Sequence, residues 1–265
     1  MKIVSLNAWG GAMYDSFASW LPTCAADVLC LQEVTCTSGL QGWTRFDDGE
    51  RELPQRANLF ADVCALLPSH QGVFLCSDSG PVFDRDGNRH QQDFGLSVFV
   101  SDRLPIVGSQ SSYVRGSFTD HEDWSISHRP RIAHAIRVVD RIGDRSVTIA
   151  HMHGLRDPAG KQDTPARATQ AEKFAGLIND TKSKEDFVVA CGDFNLLPDS
   201  NTFSVLEDRC GLVDLVGTSD TRTSKYPKQS RHANYMLVSN REAVKNFSAP
   251  AEPEVSDHRL LILDV

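Results

Sequence analysis

The sequence predicts an α/β (α+β) fold in which two mixed β-sheets pack face to face with helices outside. Three observations lead there. Strand-like runs outnumber helix candidates, neighbouring runs such as 131–140 and 145–153 read as antiparallel partners, and helical periodicity is confined to a few intervening segments. The composition, 40% hydrophobic and 23% charged, is that of an ordinary globular protein.

In chain order the strand-like runs are KIVSLN (2–7), DVLCLQEV (27–34), GVFLCS (72–77), FGLSVFV (94–100), RIAHAIRVV (131–139), SVTIAHMH (146–153), FVVACGDFN (187–195), ANYMLVS (233–239) and HRLLILDV (258–265). Many are β-branched and several alternate with period two. The clearest helix spans 165–179. Thr164 can cap it, Pro165 suits its first turn, and Ala171, Phe174, Ala175 and Ile178 make one apolar stripe. A second spans 199–208 after Pro198, with Asp199 or Ser200 as cap and Asp199 preferred; a weaker third covers 56–67. The polar, turn-rich stretch 76–93 reads as an exposed loop.

No Gly/Ser/Pro-rich linker and no repeat divides the chain, so its 265 residues read as one domain, 1–265. The apolar stretch at the start is too short for a signal peptide or a membrane span. Seven cysteines without a C-x-x-C pair suggest reduced thiols in a cytoplasmic setting. Cys24, Cys30 and Cys36 are evenly spaced, but Cys30 lies inside an apolar run, which favours buried thiols over zinc. A net charge of −8 argues against a protein that grips long nucleic acid nonspecifically, since that takes a surplus of Lys and Arg.

Chemistry shows at the strand ends. Asn7 follows KIVSL, Gln32 and Glu33 follow DVLCL, His151 and His153 follow SVTIA, Asp193 and Asn195 follow FVVACG, and Asp257 and His258 precede RLLILDV. Each has a bland reading alone, as a turn residue, a solvated end or a satisfied core histidine. Burying such groups without partners is costly, so five endings of this kind point to one shared polar pocket. Residues two apart on a strand share a face, which would let Asp193 and Asn195 address one phosphate. Hard oxygen ligands suit Mg²⁺ or Mn²⁺, and carboxylates with histidines and amides suit phosphoester hydrolysis.

The motifs SLNAWG (5–10), LQEV (31–34), HMHG (151–154), GDFN (192–195) and SDH (256–258), in that order, make the chain resemble the endonuclease/exonuclease/phosphatase superfamily, the deoxyribonuclease I-like proteins. The resemblance implies a four-layer α/β sandwich with its site at one edge of the sheets. It implies metal ligation by Glu33, Asn7 and Asp257, activation of water by Asp193, and a phosphate-holding or water-holding Asn195. His153 and His258 would stabilise the pentacovalent phosphorus or protonate the leaving oxygen, with the division between them open. Two positions depart from the pattern. Trp9 stands where abasic-site endonucleases carry Asp, and Asn234 stands where the family's Arg-x-Asp-Tyr strand carries the Asp that pairs with the last histidine. His151 replaces a common Asn and either lines the pocket or is simply buried.

The segment TRTSKYPKQSRH (221–232) carries Arg222, Lys225, Lys228 and Arg231 around Tyr226 with no acid, and reads either as a phosphate collar or as a merely solvated loop. Lys161 and Arg167 lie in a Lys-x-Asp-Thr-Pro-x-Arg pattern that resembles an uncharacterised bacterial subgroup of the superfamily, and they too could reach substrate. The expected function is a divalent-metal-dependent phosphoesterase acting on a small molecule or a nucleic-acid end, with no obligate protein partner. The alternatives are a DNA or RNA nuclease, with a basic face drawn from 115–145, and a catalytically silent phosphate-binding module.

Overall fold

Fourteen strands build two sheets in the computed structural model, which describes residues 1–49, 51–124, 129–157 and 159–265. The first sheet runs in the order β13 (Asn246–Ser248), β14 (Leu261–Asp264), β1 (Lys2–Asn7), β2 (Val28–Cys36), β6 (Arg89–Ser101), β5 (His70–Phe83), β3 (Trp43–Asp47), β4 (Glu52–Arg56). The second runs β11 (Val213–Asp214), β12 (Asn234–Val238), β10 (Phe187–Asp193), β9 (Arg145–His153), β8 (Arg131–Asp140), β7 (Ile106–Arg115). Both are mixed. β1 and β2 are parallel, as are β9 and β10, while β8 and β9 form the expected antiparallel pair.

Period two sorts the side chains into layers. Val4, Leu6, Leu29 and Leu31 face outward onto α1 (Tyr14–Trp20) and α2 (Leu59–Leu66), where they meet Phe17, Leu59 and Val63. Ile3, Val28 and Cys30 alternate with them and join the core shared with the second sheet, which Phe174 and Ile178 of α3 (Pro165–Thr181) and Leu206 of α4 (Asn201–Cys210) close from the other side. The thiols of Cys30 and Cys191 meet inside this core, so Cys30 is a buried thiol. No described helix is long and apolar enough to cross a membrane.

Thr164 caps α3 as expected, accepting from Arg167 N. α4 is capped by Ser200 and not by Asp199: Ser200 is the last extended residue, and its Oγ accepts from Thr202 N at 3.2 Å, while Asp199 is exposed. α2 begins only after Asn58, whose side chain accepts from Ala61 N. The stretch 76–93 is no loop. β5 and β6 run through it and leave only 84–88 as the turn. Its polar residues are satisfied internally: buried Gln92 donates to Thr37, Thr44 and the carbonyls of Arg56 and Ala57.

Candidate active site

Strand register brings the predicted residues together. Asn7 pairs in register with Gln32 at the ends of β1 and β2. Asp193 lies in register with His153 on one side and Asn234 on the other. Ser256 Oγ donates to Asn7 O at 2.7 Å and accepts from His258 N at 3.2 Å, which pins the SDH segment against the end of β1.

Glu33 enters by breaking the alternation. Leu29, Leu31 and Val34 all face the helical layer, and the register shifts between Gln32 and Val34. Glu33 is the extra residue of this β-bulge, with φ at 54°, so its carboxylate turns inward where strict alternation would have turned it out. Asn195 also arrives differently from the strand-face expectation. β10 ends at Asp193, and Asn195 sits in a turn at φ 55°, its N–H donating to Asp193 Oδ1 at 3.1 Å. Gly192 precedes them at φ 133°, where a Cβ would stand 2.1 Å from Met152 O; only glycine fits. With Trp9 at 51°, three of the five non-glycine residues at positive φ line one cavity of about 590 Å³.

Inside that cavity Asn7 Nδ2 bridges two carboxylates, donating to Glu33 Oε1 at 3.0 Å and to Asp193 Oδ2 at 2.9 Å. Its oxygen accepts from Trp9 N at 3.0 Å, so in this arrangement the amide presents nitrogen to the cluster. His153 Nε2 lies 3.8 Å from Glu33 and 3.7 Å from Asp193. Ligand atoms of Glu33, His153 and Asp193 all fall within 4.8 Å of one another, and hard carboxylate donors at that spacing fit a divalent cation. Arg222 Nη1 donates to Asp257 Oδ2 at 2.8 Å and to His258 Nε2. The other ring nitrogen, Nδ1–H, donates to Asn234 Oδ1 at 2.7 Å.

Burial governs the protonation states. It pushes the Asp193 carboxyl above its ordinary range, against the pull of Arg222, Lys161 and Asn7. Burial, opposed by Arg222 but reinforced by Glu33 and Asp193, brings Asp257 up to about 7. Burial with Arg131 and Arg129 nearby holds His153 well below its ordinary value; burial with Arg222 and His153 does the same to His258. Lys161 is lowered by burial to about 8. The site therefore holds a basic carboxylate, crowded acids and two neutral imidazoles.

Of the expected substrate contacts, Arg222, Tyr226, Lys225, Lys228, Lys161 and Arg167 line the cavity. Tyr226 lies flat under the Arg222 guanidinium, 3.9 Å from ring centroid to Cζ. Arg231 is a brace, bonded to Asp220 and to the carbonyls of Arg222 and Thr223. Arg167 also holds backbone, donating to the carbonyls of Gln162, Leu155, Gly160 and Asn195. In the same pattern Asp163 accepts from Ser200 Oγ and Asn201 N, which leaves Lys161 as the member whose amine is free to face substrate beside its bond to His232 O. His151 lies outside the cavity lining, packed at 5.6 Å against His134 with neither ring nitrogen bonded. Sequence reading missed Arg129 and Arg131, which line the same cavity. The one available signal was an arginine opening an otherwise apolar strand.

A two-sheet sandwich whose strand ends gather carboxylates, amides and imidazoles defines a hydrolase of the deoxyribonuclease I-like fold. The chain belongs to the Endonuclease/Exonuclease/phosphatase family, whose sequence profile matches residues 4–258. Among solved structures it is similar to an endonuclease/exonuclease/phosphatase from Bacteroides vulgatus, with TM-score 0.68, 15% identity, and 99% of this chain and 97% of that one covered. It is similar to the mannosyl-6-phosphatase Bt3783 of Bacteroides thetaiotaomicron, with TM-score 0.67, 15% identity, and coverage of 100% and 98%. It is also similar to the human Nocturnin catalytic domain with bound sulfate, with TM-score 0.64, 18% identity, and coverage of 99% and 92%. No curated protein sequence matches the chain.

Proposed function

We propose that the protein is a divalent-metal-dependent phosphoesterase that hydrolyses small or terminal phosphate esters by in-line attack of water. The observation that carries this reading is the convergence of Glu33, His153, Asp193, Asn195, Asp257 and His258 on one cavity, with buried Asn7 bonded to two of its carboxylates. Three carboxylates crowd there, and crowding of that kind calls for a cation.

Glu33 and Asp257, with Asn7 orienting Glu33, would hold Mg²⁺ or Mn²⁺, and the ion would neutralise phosphoryl oxygens. Asp193, made more basic by its burial, takes the proton of the attacking water. Asn195 and Lys161 hold the phosphoryl oxygens, and Arg222 and Tyr226 form the cavity's collar over them. His153 donates a hydrogen bond to the developing charge, His258 does so from Nε2 in its protonated form, and Asn234 orients His258. Four of the six arginines of 115–145 are withdrawn from a basic face for a nuclease: Arg137 pairs with Asp186, Arg145 with Asp140, Arg129 with Asp78, and Arg131 faces the cavity. Residues 125–128 lie outside the described residues.

A panel of sugar phosphates, nucleotides, bis-p-nitrophenyl phosphate, DNA and RNA, assayed with Mg²⁺ and with Mn²⁺, tests the reading. Hydrolysis of small esters that Glu33→Gln abolishes together with Mg²⁺ binding is the expected result. Cleavage of internal nucleic-acid bonds without turnover of any small ester would overturn it.

A further inference from the structure

Arg131 is 4% exposed, yet its guanidinium makes no ion pair and no hydrogen bond among the described residues. Its Nε is shut off from solvent without a partner, and the group lines the cavity next to His153. Its neighbour Arg129 is fully engaged. Arg129 donates twice to Asp78, at 2.7 and 3.1 Å, and lies over the rings of Phe94 and Trp124 at 4.2 and 4.5 Å. Asp78 is further occupied by His121 and Ser77. Asp78 is thus used up, and Arg131 is left beside it with no carboxylate in hydrogen-bonding contact among the described residues. A buried charge without a partner is strongly unfavourable, so an arginine kept in this state points to an anion that arrives with the ligand.

Two basic groups of the cavity have different neighbours. Arg131 has Arg129, Asp78 and Glu33 around it; Lys161 has Arg222, Arg167 and Lys228, and Asp193 is common to both. Lys161 and Arg222 face Asp193 and Asp257, while Arg131 lies on the Glu33 and His153 side of the cavity, where a different anionic group can reach it.

We propose that Arg131 is the anchor of a second phosphate subsite, so that the preferred substrate is a bisphosphorylated small molecule whose non-reacting phosphate is held by the Arg131 fork. The substrate class rests on the phosphoesterase reading; the subsite does not, because phosphate binding there needs neither metal nor turnover.

Calorimetry with inorganic phosphate in EDTA tests the subsite on the full chain. Wild type and Glu33→Gln should bind phosphate, and Arg131→Met should weaken it by at least ~10-fold, the scale of a charge-assisted fork. Arg131→Lys, which keeps charge and loses the fork, should fall between them. Removing an unpaired buried charge should also leave the melting temperature of Arg131→Met equal to or above wild type, whereas a structural arginine would lower it. In turnover with Mg²⁺, Arg131→Met should reduce kcat/KM for glucose 1,6-bisphosphate at least ~10-fold more than for glucose 6-phosphate. Absent phosphate binding by wild type, unchanged binding by Arg131→Met, or equal losses on the two sugar phosphates overturns the proposal. If Arg131→Met does not fold, Arg131→Lys decides by the same comparisons. Phosphate binding without ester hydrolysis would sink the phosphoesterase reading alone.

Discussion

Replacing Asn234 by Asp restores a charge that the site does without. His258 Nδ1–H donates to Asn234 Oδ1 at 2.7 Å, and both residues are buried. A carboxylate placed there, about 4 Å from the ring's charge centre, would favour the imidazolium by about 4 kcal/mol at most at an effective dielectric of about 20. That corresponds to roughly 3 pKa units. The gain is opposed by Arg259 O, which Asn234 Nδ2 now meets at 3.3 Å and which a second carboxylate oxygen would face unfavourably. A net rise of about 1–3 units is expected. The sign follows from the starting state. Burial with Arg222, His153 and Lys161 holds His258 well below its ordinary value, so the cation is scarce at neutral pH and folding stability falls as pH drops below about 6.5. Asn234→Asp should reduce that acid sensitivity, move the limb of the pH–rate profile that requires protonated His258 upward, and raise activity above pH 7. NMR titration of the His258 ring, assigned against His258→Gln, reads the shift directly. An unmoved titration in a folded variant would refute the electrostatic argument.

Other outcomes are open to measurement. Asp193→Ala should lower turnover by at least ~10²-fold with its fold retained by circular dichroism; near-normal turnover would remove it as base. Asp257 is pushed up to about 7 by burial and by Glu33 and Asp193, so Mg²⁺ binding should release a proton below neutrality and weaken as pH falls through that value. Calorimetry in buffers of different ionisation enthalpy counts that proton, and a count of zero at pH 6 contradicts the assignment. Asp78→Asn should destabilise the fold by about 3–5 kcal/mol at pH 7, because it strands Arg129. Burial opposes ionisation of Asp78, but Arg129, His121 and Ser77 hold its carboxyl well below the usual range, so its contribution is present above about pH 4 and lost as pH falls further. The stabilities of variant and wild type from urea titrations, far apart at pH 7, should therefore converge as the pH is lowered below about 4.

What could be read from the chain was the set of polar groups with no structural reason to end a buried strand. Asn7, Glu33, His153 and Asp193 belong to it; the last three line one cavity, and Asn7 is bonded to two of them. Their route there was less legible. A bulge at Glu33 and a left-handed turn at Asn195 are backbone events that period-two counting cannot express. The polarity of 76–93 misled because Ser77, Ser79 and Gln92 face a polar interior and not water. Edge strand β7 was missed because its exposed, serine-rich face carries little hydrophobic signal. Arg131 escaped notice because a single cation at a strand start is ordinary, and only its missing partner makes it informative.

Left-handed backbone at Trp9, Glu33 and Asn195 also bears on how this chain tolerates redesign. At each position glycine would relieve roughly 1–2 kcal/mol of local strain. A procedure that rewards thermal tolerance or backbone compatibility would therefore drift toward glycine at these three sites. Such variants should express well, melt higher and pass every structural check while having lost the cavity's carboxylate and amide. A stabilised library of this protein needs positions 9, 33 and 195 held fixed, since resistance to heat and the capacity for chemistry pull there in opposite directions.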